Sequence, residues 1–77
     1  MDREKAVDVI KQILENCRVN TSITLQLQPK NNYSKGSQIH IRVGDNELIK
    51  SCIERIANKN NLAVKIIGNL LIIYKPA

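Results

Sequence analysis

The side chains best suited to specific polar contacts fall at every second position of two short runs. Gln26 and Gln28 alternate with Leu25 and Leu27, while Gln38, His40 and Arg42 alternate with Ile39, Ile41 and Val43. Carboxamide, imidazole and guanidinium groups can hydrogen-bond base edges and phosphate oxygens. Lys30, Lys35, Lys65 and Lys75 lie in the same or similar segments and can neutralise an anionic backbone, and Tyr33 can stack or hydrogen-bond. Residues 28–44 and 61–77 contain no acid and carry the whole net charge of +5, whereas residues 1–27 and 45–60 are balanced. Cations collected without acids point to a polyanion, and nucleic acid, DNA or RNA, is the expected partner.

Catalytic chemistry is not expected. His40 is the single histidine, and its neighbours Gln38 and Arg42 are neither nucleophile nor carboxylate. Ser34 and Ser37 have no evident base, and no glycine-rich phosphate loop occurs. One histidine and two cysteines without Cys-x-x-Cys spacing are too few for a zinc site, so no metal, cofactor or small-molecule substrate is expected. The acids pair with bases at helical spacing, Lys11 with Glu15 and Lys50 with Glu54, as solvated helix faces do. Cys17 and Cys52 each fall on the apolar side of an expected helix and read as reduced core thiols. Residues 2–5 are all charged and no apolar run approaches the ~20 residues of a membrane helix, so a cytoplasmic protein without membrane contact is expected.

The elements that must position these groups follow from hydrophobic periodicity. Ala6, Ile10, Ile13, Leu14 and Cys17 form one stripe of a helix over residues 2–17. From Ser22 the period switches to two, giving a strand that Pro29 ends. Residues 29–37 are rich in turn formers and read as a long, mobile hairpin loop. Alternation resumes over 38–43, and Asp45 is placed to cap a second helix, 46–59, that buries Ile49, Cys52, Ile53, Ile56 and Ala57. Strands over 62–67 and 70–75 are joined by Gly68-Asn69, a type II′ hairpin signal. Pro76 stops the last strand.

The expected fold is a single α+β domain over 1–77 of order αββαββ, a four-stranded antiparallel sheet with two helices packed on one face. It also reads as two αββ units offset by 43 residues in the helices. Leu62, Val64, Ile66, Leu71 and Ile73, with Ile23, Leu25, Leu27, Ile39, Ile41 and Val43, should form the floor beneath the helices. The opposite face should combine the polar positions of the first hairpin with Ala63, Lys65, Ile67, Leu70, Ile72 and Tyr74 of the second. Ile67, Leu70, Ile72 and Tyr74 would then form an exposed apolar patch, so the alternative function is protein interaction or homodimerisation through it. With Tyr33 and Tyr74 the only aromatic residues, stacking of bases on several rings is disfavoured.

The order αββαββ with alternating polar strands is similar to the core of LAGLIDADG homing endonucleases, which implies a sheet laid on DNA. Their signature requires small residues along the first helix and an acid beside glycine at its end. Here the region reads Leu14-Glu15-Asn16-Cys17-Arg18, so the resemblance does not imply cleavage. A small non-enzymatic module that grips nucleic acid with its exposed sheet face and the 29–37 loop is the expectation.

Overall fold

The computed structural model describes residues 1–30 and 32–77; Asn31, within the expected loop, lies outside the described residues. Helix α1 (Arg3–Asn16) is followed by strands β1 (Ile23–Gln26) and β2 (Ser34–Arg42), then helix α2 (Glu47–Lys59) and strands β3 (Ala63–Ile67) and β4 (Leu70–Pro76). The order is αββαββ as expected, and the sheet is antiparallel throughout with strand order β1-β2-β4-β3. Among the described residues, no helix is long and apolar enough to cross a membrane.

Both helices begin where a side-chain oxygen can satisfy an orphan backbone donor. Asp2 accepts from the Lys5 N–H at 2.7 Å, and Asn46 accepts from the Ile49 N–H at 3.1 Å. The cap of α2 is therefore Asn46 and not Asp45, because the turn that bonds the Asn46 N–H to the Val43 carbonyl carries the chain one residue further. At its other end α2 closes in a Schellman arrangement. Asn61 is left-handed at φ +59°, the Leu62 N–H reaches the Ala57 carbonyl at 2.9 Å, and the Asn61 N–H reaches Asn58 at 3.1 Å.

The core joins Ala6, Val9 and Ile13 of α1 and Ile53, Ile56 and Ala57 of α2 to Ile39, Ile41, Leu71 and Ile73 of the two central strands. The stripe of α1 is rotated from the expected one: Val9 is fully buried, while Leu14 is 53% exposed. On the helical wheel Ala6, Val9, Ile13 and Cys17 are contiguous and Leu14 sits at the flank, so a helix resting on a flat sheet leaves it out. At the floor's margins Leu27 and Ile66 are exposed as well, Leu27 because β1 ends at Gln26 and Ile66 because β3 is an edge strand.

Cys17 and Cys52 are not reduced thiols. They form a disulfide, with Cα atoms 5.7 Å apart and a sequence separation of 35. The helices run antiparallel, as the bond from Lys5 Nζ to Asn60 Oδ1 (2.7 Å) at their other end shows, so the C-cap of α1 lies beside the second turn of α2. The cysteines thus lend no support to a reducing compartment. Lys50 pairs with Glu47 at 3.3 Å instead of Glu54, and this is the one ion pair among the described residues.

Candidate nucleic-acid interface

The two hairpins present the face opposite the helices in quite different ways. In the second, Gly68 at φ +60° makes the two-residue turn, and the expected register is found: Ile67 pairs with Leu70, Ile66 with Leu71, Lys65 with Ile72 and Val64 with Ile73. In the first, the expected loop is shorter than the composition suggests, because Ser34–Ser37 belong to β2. Tyr33 is held too, its carbonyl accepting from the Ala77 N–H at 3.1 Å.

This early start of β2 requires an irregularity. Ser34 and Lys35 pair with Pro76 and Lys75, whereas Ile39 to Arg42 pair with Ile73 to Leu70, so two extra residues are accommodated between Lys35 and Ile39. Gly36 turns the chain there at φ +67°, and Met1 fills the resulting recess. The Ser37 N–H donates to the Met1 carbonyl at 2.7 Å, and the Met1 amine donates to the Lys35 carbonyl.

Strand registers align the open face in rows that cross the sheet. One row is Thr24, His40, Ile72 and Lys65; a second is Arg42, Leu70 and Ile67; a third pairs Gln26 with Gln38 on one side and Tyr74 with Ala63 on the other. Thr24, His40 and Arg42, with Ser22 and Leu70, line a shallow depression of about 290 Å³. Gln38 is almost wholly buried, its amide donating to Ser34 Oγ at 2.7 Å. Its Oε1 lies 2.9 Å from His40 Nε2, which places the imidazole proton on that nitrogen. Burial lowers the His40 pKa from its ordinary 6.5, so near neutral pH the ring is an uncharged hydrogen-bonding group.

The residues expected to bind are only partly brought together. Gln26, Gln38, His40, Arg42 and Lys65 share the open face, and Tyr33 reaches it from the loop. Gln28 and Lys30 are exposed beyond the end of β1. Lys35 and Lys75 pair with each other across β2 and β4, but they lie at the corner occupied by Met1 and Asp2, toward the helices. Charge is not confined to the sheet either, since Arg18 and Arg55 border a groove beside the disulfide that also includes Asn16, Asn20 and Asn46.

The expected apolar patch is altered. Ile72 is only 4% exposed, and Leu70 and Tyr74 are half-buried; Ile67 alone is open, at 55%. Tyr74 instead meets Tyr33, with ring centroids 4.9 Å apart at 75°, and Lys65 Nζ stands 4.2 Å from the centre of the Tyr33 ring. Alternation assigned Tyr74 to the correct face, but nothing local in the sequence brings Tyr33 to it. Comparison with known proteins returned no matching family model, no matching curated protein and no matching solved structure.

Proposed function

We propose that this protein is a small, non-enzymatic nucleic-acid-binding module whose contact surface is the helix-free face of its sheet. The observation that carries the reading is that this face holds Arg42 and Lys65 beside the hydrogen-bonding groups Thr24, Gln26 and His40, while none of the four strands contains a carboxylate. A phosphate backbone on that face would meet cations without local repulsion, and the polar rows would face its sugars and bases. The flat cationic surface supports positioning more than sequence reading, so base selectivity should be modest.

Binding is tested by titrating labelled DNA and RNA at several salt concentrations. Affinity should fall steeply as salt rises, and Arg42→Ala should flatten the log–log slope by about one unit. Lys11→Ala, on the far side of α1, should leave both affinity and slope unchanged. A salt-independent response would overturn the reading.

A further inference from the structure

We infer that the open sheet face receives a single strand, with the Tyr33–Tyr74 pair as the seat on which one base stacks; this rests on the nucleic-acid reading above and specifies its ligand. Two tyrosines are few for a protein that stacks bases, but they are not dispersed. They stand 41 residues apart in sequence, yet their rings are in contact at one margin of the open face. Neither is fully buried, so part of the aromatic surface is reachable.

The position is also cationic. Lys65 lies mid-strand in β3, and its ammonium rests over the Tyr33 ring at 4.2 Å. A base arriving on this pair displaces the ammonium from the ring and leaves it close enough to meet that nucleotide's phosphate. From here the row of Ile72, His40 and Thr24 leads across the sheet, with Arg42 beside it, offering a polar track to the rest of the strand.

Dimensions argue against a duplex. Four strands at the usual sheet spacing span roughly 14 Å between outer strand axes. The major groove is about 12 Å wide and admits a helix or a two-stranded ribbon. A face this broad does not fit an undeformed groove as a helix or ribbon does, and a straight duplex would meet it mainly along its phosphates, away from the aromatic pair. An unpaired strand can lie flat with its bases turned to the rings.

The test compares a short oligothymidylate, an oligouridylate and a duplex of equal length by fluorescence anisotropy at low salt. Either single strand should bind at least about 10-fold more tightly than the duplex, a difference of the size one stacked base supplies. Tyr74→Leu and Tyr33→Leu should each weaken single-strand binding by about 10-fold and leave the salt slope unchanged, while Tyr74→Phe, which keeps the ring, should retain it. Because the chain has no tryptophan, the tyrosine emission of the unaltered protein reports the same site, and it should be quenched by the single strands and not by the duplex. That measurement decides the matter even where a leucine variant does not fold. Equal affinity for duplex and single strand with unquenched tyrosine emission would overturn the stacking seat alone. Failure to bind any of the three would overturn the underlying reading with it.

Discussion

In the second αββ half, β3 and β4 are joined by two residues, and every strand residue from Ala63 to Ile67 finds its partner in an unbroken register. In the first half, β1 and β2 are separated by residues 27–33, and β2 is interrupted between Lys35 and Ile39. Both halves place their first strand at the sheet edge and their second in the centre. The difference lies in what sets the register. Gly68 supplies a positive φ that the local turn demands, so β3–β4 is specified by its own sequence. The irregularity in β2 is held by residues remote in sequence, with Met1 seated at Gly36 and Ser37 and the Ala77 N–H bound to Tyr33. The register of the second hairpin is therefore set locally, whereas the start of β2 depends on tertiary contacts.

The largest expected effect comes from separating the halves. Replacing Cys17 and Cys52 together by Ser opens a loop of 35 residues and should cost about 3–4 kcal/mol, read as a lower urea midpoint. Reduction of the unaltered protein should reproduce the loss, and an unchanged midpoint in both would show that the bridge adds nothing to the packing of the two helices.

Two glycine substitutions sharpen the contrast between hairpins. Gly68→Ala meets open space and should cost only the roughly 1–2 kcal/mol of a left-handed alanine. Gly36→Ala carries the same backbone cost, but its Cβ would lie 2.5 Å from the Met1 carbonyl oxygen, adding about 1–3 kcal/mol of overpacking. Equal losses in thermal or urea unfolding would mean that the Met1 contact does not constrain β2.

The smallest effect is the pH response of His40. Its folded pKa lies below the unfolded value near 6.5, so the unfolded chain binds more protons between the two. The contribution is present above pH 6.5 and is lost as pH falls through the folded pKa. As pH falls across that window the unaltered protein should lose stability relative to His40→Gln, whatever constant offset the lost Gln38 bond adds. Parallel curves would show that His40 does not titrate differently in the fold.

Much of this architecture was legible in the residues themselves. Period-two alternation around Ile39, Ile41, Leu71 and Ile73 marked the central strands and their buried face, and Gly68-Asn69 specified a register because a two-residue turn leaves no freedom in pairing. The helix ends were legible to within a residue, since Asp45 and Asn46 offer similar oxygens and only the preceding turn chooses between them. The acid-free strands were evident as well. The contacts that define the candidate site were not, because each joins positions that no local pattern links. The approach of Tyr33 to Tyr74 and the pairing of Lys35 with Lys75 depend on where β2 takes up its two extra residues, whereas the helix-side placement of Lys35 and Lys75 follows from alternation with Ile39, Ile41, Leu71 and Ile73. The Cys17–Cys52 bridge follows from the antiparallel docking of two helices. Periodicity fixes which side of an element is apolar, because that depends on backbone geometry alone. Which residues meet across elements depends on how the elements are stacked, and that is decided only when the whole chain packs.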